Sequence, residues 1–356
     1  ITTDRWYKTG ISAKLKALGN ANLTWETTNT FDIGAEISLF DDRFYIKGTY
    51  YNKRTIDLIN DVTVPTSTGF RSYRDNIGEV SNKGCEFDLR VVALNKQDLQ
   101  LIFNANLAHN KNRIEKISES LRAYNERVKK QFEEQLAWND PDRALQSQPF
   151  LQYEEGGSLS SIWGVRSMGI NPADGQEVFV GKNGELTRAW NASDQVVLGT
   201  TEPKVQGSFG FNLVWKQWSL YSTFMYEAGG QQYNQTLVDK VENVNIYTGN
   251  VDRRVLTERW TKPGDKAKFK SLVTGRKTVE QTKPTSRFVE DYNMLQWSSM
   301  ELGYDFSRNV LNKMHLNMLR LTLGLTDILH VSSMKQERGT SYPFARTVTF
   351  SLKLAL

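Results

Sequence analysis

The chain has 356 residues, 39% of them hydrophobic and 24% charged, and no run approaches the ~18 consecutive apolar residues of a membrane helix. Its net charge of +5 is spread along the sequence, which argues against a nucleic-acid surface. The single cysteine, Cys85, excludes an intrachain disulfide and any multi-cysteine metal site.

Average hydropathy does not separate a soluble protein from a transmembrane β-barrel, because polar residues facing the lumen dilute apolar residues facing lipid. Pattern has to decide. The opening Ile1-Thr2-Thr3 is followed by no basic, apolar, small-residue leader, so a membrane-barrel reading expects a mature piece or a fragment. Residues 1–26 read as a lead-in, with Trp6 and Tyr7 as candidate interface aromatics and a turn at Gly19-Asn20-Ala21-Asn22.

From Thr30 the residues Phe31, Ile33, Ala35, Ile37 and Leu39 alternate with Asp32, Gly34, Glu36 and Ser38, which only a strand with one apolar and one polar face explains. Asp41-Asp42 turns the chain, and Phe44, Ile46, Gly48 and Tyr50 return it against Tyr45, Lys47, Thr49 and Tyr51. Strands of ~10 residues, tilted ~45°, reach ~23 Å, close to the ~25 Å apolar band of an outer-membrane barrel. A second hairpin sets Cys85, Phe87, Leu89, Val91 and Ala93 against Leu99, Leu101, Phe103, Ala105 and Leu107, with Glu86, Asp88 and Arg90 on the other face.

From Ile114 the period changes. Ile117, Leu121, Tyr124, Val128, Phe132 and Leu136 recur every three or four residues, the mark of an amphipathic helix, whose stripe is expected to pack on the same loop rather than bind a partner. Glu177 to Trp190, turning at Asn183-Gly184, reads as a small hairpin. A third long hairpin joins Val205, Phe209, Phe211, Leu213 and Trp215 to Trp218, Leu220, Phe224 and Tyr226, and its paired tryptophans suit a membrane-interface girdle. Leu295 and Trp297 keep one register while Met300, Leu302, Tyr304 and Phe306 keep the other, so a β-bulge is expected at Ser298-Ser299. Leu319, Leu321, Leu323 and Leu325, then Val348, Phe350, Leu352, Leu354 and Leu356, complete nine alternating strands.

The links between these strands are short at 41–42, 95–98, 216–217 and around 307–314, and long at about 60–75, 115–203, 235–289 and 331–343. Strict succession puts every short link at one rim and every long link at the other, the layout of outer-membrane barrels. Asp32, Glu36, Lys47, Glu86, Asp88, Arg90 and Arg320 must then face inward, since one Arg or Lys facing mid-bilayer lipid costs ~2–4 kcal/mol. The expected fold is all-β, an antiparallel transmembrane β-barrel whose long outer loops include one with a helix. Bacterial single-chain barrels close with even strand numbers, so nine strands predict that residues 1–356 form the C-terminal portion of a larger barrel.

Several stretches carry a resemblance. Leu18-Gly19-Asn20-Ala21-Asn22-Leu23-Thr24-Trp25-Glu26, the run from Thr68-Gly69-Phe70 through Asn76-Ile77-Gly78 to Asn82-Lys83-Gly84-Cys85-Glu86, Gly169-Ile170-Asn171-Pro172, Ser286-Arg287-Phe288-Val289-Glu290-Asp291 and Tyr342-Pro343-Phe344 stand in this order. In them the chain resembles SusC/RagA-type TonB-dependent transporters. That resemblance implies a barrel of about 22 strands with a plugged lumen, the plug, the TonB box and the earlier strands lying upstream of Ile1. It further implies import of an oligosaccharide or peptide with a SusD-like lipoprotein, powered by TonB, in a wall set in outer-membrane lipid. The alternative is a SusC-like barrel serving as a structural subunit of an outer-membrane assembly.

Tyr153, Trp163, Trp190 and Tyr233 are the loop aromatics expected to contact ligand, each weighed against ordinary loop packing. His109, His315 and His330 show no metal-ligand spacing, and no enzyme, cofactor or metal is expected.

Overall fold

The computed structural model describes residues 2–4, 12–14, 19–63, 72–137, 147–244, 246, 251–272, 281–335 and 345–355, without the side chains of 131–137. Trp6, Tyr7, Leu18, Thr68-Gly69-Phe70, Tyr342-Pro343-Phe344 and Leu356, and the side chains of Phe132 and Leu136, lie outside the described residues.

In chain order the strands are β1 (Thr2–Asp4), β2 (Ser12–Lys14), β3 (Thr27–Leu39), β4 (Phe44–Ile56), β5 (Ile59–Thr63), β6 (Ser72–Asn76), β7 (Gly78–Lys96) and β8 (Leu99–Ile117). After helix α1 (Glu119–Ala137) come β9 (Ser161–Ile170), β10 (Glu177–Val180), β11 (Leu186–Thr187), β12 (Gln195–Thr200), β13 (Val205–Trp215) and β14 (Trp218–Tyr233). Short helices α2 (Gln235–Leu237) and α3 (Arg254–Thr257) precede β15 (Val289–Asp305), and α4 (Arg308–Met314) precedes β16 (Met318–Ser332) and β17 (Thr347–Ala355).

Nine of these strands form one antiparallel sheet in the order β17-β16-β15-β14-β13-β8-β7-β4-β3. Chain neighbours among the nine are sheet neighbours throughout. The pairing carries the alternation across the whole sheet. One row reads Ser38, Tyr45, Arg90, Asn104, Gly210, Thr223, Ser299, Thr326 and Thr347, polar except for a glycine and a tyrosine. The row beside it reads Ile37, Ile46, Leu89, Ala105, Phe209, Phe224, Trp297 and Leu329. Phe224 stacks between Phe209 at 5.0 Å and Trp297 at 5.5 Å. This apolar face is open: Ile33 is 62% and Phe350 75% exposed. Among the described residues no helix is long and apolar enough to cross a membrane.

Two irregularities keep the faces consistent. At Ser298 both neighbouring registers shift, between Thr223 and Phe224 on one side and between Trp297 and Ser299 on the other, which realises the expected bulge and returns Met300, Leu302 and Tyr304 to the apolar face. A second shift between Val92 and Leu94 brings Leu94 opposite Leu101. At the short-link rim Trp215 pairs with Trp218, and Trp218 lies 4.7 Å from Tyr304, itself 5.0 Å from Phe306.

The helix begins later than its period announces. Ile114 and Ile117 belong to β8, and Ile114 is 1% exposed because it sits opposite Val80 and its backbone is bonded to the Gly156–Gly157 turn. Ser118 then starts α1, its Oγ accepting from the Leu121 amide at 3.3 Å. The apolar residues on either side of this junction fall into one spacing by coincidence. The short link at 307–314 likewise differs from a plain turn, since it holds α4, closed by His315 in the left-handed region.

The long links carry the hydrophobic core. Val238, Val241, Val255, Phe269 and Phe288 form one buried cluster, Ile77 and Leu121 a second, and Val128 and Ala192 a third. A barrel wall has lipid on one side and a polar lumen on the other, so loops are where side chains can be enclosed.

Candidate functional site

The link from β8 to β13 and the link from β14 to β15 fold together over the polar side of the sheet. Asn112 stands on that side of β8, and its Oδ1 accepts from the Leu159 amide at 2.9 Å and from Ser158 Oγ at 3.2 Å. The Glu202 carboxylate accepts from Asn110 Nδ2 at 2.5 Å and from the Asn112 amide at 3.2 Å. Between these anchors β11, β10, β9 and β12 make a four-stranded sheet.

Arg287 joins the two links. Thr285 caps the short turn Ser286–Phe288 by accepting from the Arg287 amide, which sends the guanidinium inward, 4.7 Å from the Phe288 ring. Its Nη2 donates to Glu177 at 2.7 Å and Glu242 at 2.6 Å, whose side chains are 2% and 0% exposed. Beside it Arg259 donates to the Glu242 carbonyl at 2.5 Å, the Lys270 carbonyl at 2.8 Å and the Val241 carbonyl. Two arginines thus balance two carboxylates, as burial requires. Burial alone would lower the Arg287 pKa, but the Glu177 hydrogen bond and the Glu242 and Glu177 charges outweigh it and hold the group above its ordinary value.

A second joint uses Gly169-Ile170-Asn171-Pro172. The Pro172 carbonyl accepts from Trp260 Nε1 and from the Gly264 amide, each at 2.8 Å. Gly175 lies under the Trp260 ring at positive φ, and a Cβ there would sit 2.5 Å from the ring, so only glycine lets the indole close down. A third joint is the Pro284 carbonyl, which accepts from the Val165 amide and Trp190 Nε1, each at 3.0 Å.

The four loop aromatics fall in different places. Tyr153 and Trp163 border one crevice of about 560 Å³ between α1 and the β9–β12 sheet, along with Arg166, Lys182, Gln152 and Gln195. Tyr153 also packs 6.0 Å from Tyr124. Trp190 packs against the Val128 and Ala192 cluster, with Lys283 Nζ 5.8 Å over its ring. Tyr233 packs against the Val238 cluster, 6.0 Å from Phe288. Gln152, Gln195, Arg166 and Lys182 gave no sequence signal, being isolated polar residues whose meeting depends on strand register. On the wall, Lys47 reaches Glu36 at 3.3 Å with Asp88 next in the same row, and Arg320 reaches Asp305 at 2.9 Å.

The family described as "TonB dependent receptor-like, beta-barrel" matches residues 6–325. The chain belongs to this family. As a TonB-dependent receptor barrel it is an outer-membrane protein, and the family is one of receptors. The chain is 26% identical over 348 residues to TonB-dependent receptor P3 of Formosa agariphila, covering 93% of this chain and 31% of that protein. Over 116 residues it is 31% identical to TonB-dependent receptor SusC of Bacteroides thetaiotaomicron, covering 32% of this chain and 11% of SusC. Among solved structures the RagAB peptide transporter aligns with a TM-score of 0.74 at 19% identity, over 100% of this chain and 38% of that chain. The SusC/RagA type of barrel is therefore the right one, and this receptor chain spans about a third of the length of the curated relatives that it matches along most of its length.

Proposed function

We propose that this chain is part of the wall and mouth of a TonB-dependent importer, which carries a large nutrient, an oligosaccharide or a peptide, across the outer membrane with a SusD-like surface lipoprotein. The observation that carries this reading is the placement of both joined links over the polar face of a sheet whose other face is greasy. In outer-membrane barrels short turns are periplasmic and long loops extracellular, so the joined links stand where a nutrient arrives. β3 and β17 each have one sheet neighbour among the described residues, and free edges in lipid are not tolerated. Further strands of a complete barrel pair with both, and a plug and TonB segment belong to that whole.

Ligand contact falls to the crevice lined by Tyr153 and Trp163, while Trp190 and Tyr233 brace the loops around it. The test is deletion of this coding region from the chromosome, with growth measured on single nutrients. Growth on one polysaccharide or peptide source should be lost and growth on a small sugar kept; undiminished growth on every source contradicts importer function.

A further inference from the structure

Two residues that border the crevice beside α1 carry hydrogen-bond donors with nothing to receive them. Trp163 Nε1 and Gln195 Nε2 are both buried without an acceptor, on residues 8% and 3% exposed. Gln195 pairs with Val165 and Val197 with Trp163, so Trp163 and Gln195 are diagonal neighbours on one face of the β9–β12 ladder. The Gln195 oxygen is already engaged, accepting from Gln152 Nε2 at 2.7 Å, which leaves its amide nitrogen as the spare group. An orphaned buried donor is costly, and two on neighbouring residues that border one crevice mark a place where acceptors are missing.

The charges at the opening have the matching sign. Arg122 and Lys129 are committed to Glu155 and Glu126. Arg166 and Lys182 also line the crevice and have no carboxylate partner among the described residues, against one such carboxylate, Glu154. Uncommitted cations thus outnumber uncommitted anions.

We propose that this crevice is a carboxylate-binding subsite, in which the ligand's two oxygens accept from Trp163 Nε1 and Gln195 Nε2 while Arg166 and Lys182 neutralise its charge. This rests on the importer reading above and narrows its cargo. A planar group with two adjacent acceptors serves two adjacent donors and carries the charge that both cations answer, whereas a neutral hydroxyl leaves both cations unanswered. Such a carboxylate comes from a uronate unit of an acidic oligosaccharide or from the C-terminus of a peptide.

The test uses the full-length transporter with its lipoprotein, purified in detergent and titrated calorimetrically with trigalacturonate and its methyl ester, and with a trialanine peptide and its C-terminal amide. One acid should bind, which names the source, and its neutral form should bind about tenfold more weakly or worse, the loss of a charge-assisted hydrogen bond. R166A/K182A, which alters exposed cations, should weaken the acid by a similar factor and leave the neutral form unchanged. W163F, which keeps an aromatic ring of smaller size and removes the donor, should weaken it about threefold to tenfold. Failure of both acids to bind, equal binding of acid and neutral form, or wild-type affinity in both variants overturns the subsite. A strain carrying R166A/K182A that grows on the nutrient at the wild-type rate removes the subsite and leaves import standing, since only the deletion strain bears on import itself.

Discussion

At the scale of single residues, Arg287 shows how much a loop can depend on one side chain. Arg287→Ala strands Glu177 and Glu242 in an apolar cluster, and removing one partner from a buried ion pair costs about 3–5 kcal/mol. Limited proteolysis of the purified barrel should then cut residues 234–288 readily, while the strands stay protected. Combining Arg287→Met with Glu177→Gln and Glu242→Gln removes the stranded charge and should restore most of the protection. The sequence marked Ser286-Arg287-Phe288 only as a family likeness. Its partners were illegible because Glu177 and Glu242 lie 110 and 45 residues away and look like any solvated glutamate.

Acid should loosen the same link for a separate reason. Hydrogen bonds from the Thr261 hydroxyl, and from the Thr261 and Lys262 amides, hold the Asp265 carboxyl below its ordinary pKa. Bonds from the Arg254 side chain and amide do the same for Asp252. A depressed carboxylate pKa contributes stability above the unfolded value and loses it as pH falls through the folded one. Hydrogen exchange of residues 251–272, corrected for intrinsic rates, should therefore rise below about pH 4 and stay flat from pH 6 to 9, and Asp265→Asn should flatten part of the acid limb.

At the scale of elements, the strands were legible because period two is written over long runs and one slip turns a whole face inside out. The bulge at Ser298 could be read for the same reason, as a change of parity. The β8–α1 junction could not, because Ile114 and Ile117 obey the strand while their spacing to Leu121 imitates a helix. Face assignment makes a direct prediction on β3 and β4. Ile33→Lys places a cation toward mid-bilayer lipid and should destabilise by ~2–4 kcal/mol, whereas Thr49→Lys places one in the lumen beside Glu86 and should be near neutral. Heat-modifiable gel migration over a urea series separates the two.

At the scale of the whole molecule, the chain is a section of cylinder wall whose enclosed core lies in its loops. Sequence pattern revealed the wall, since a membrane repeats one demand along every strand. It left the mouth unread, since the joints at Arg287, Pro172 and Pro284 depend on contacts made once. The two faces of the nine-stranded sheet meet lipid and a polar lumen. Spin labels placed one at a time on the full-length barrel, at Val348, Thr349, Phe350, Ser351, Leu352 and Lys353 of β17, with Cys85 replaced by serine, distinguish the two faces. In membranes the labels at 348, 350 and 352 should collide with oxygen and those at 349, 351 and 353 with a water-soluble nickel chelate; equal exposure of all six to the chelate would contradict this placement.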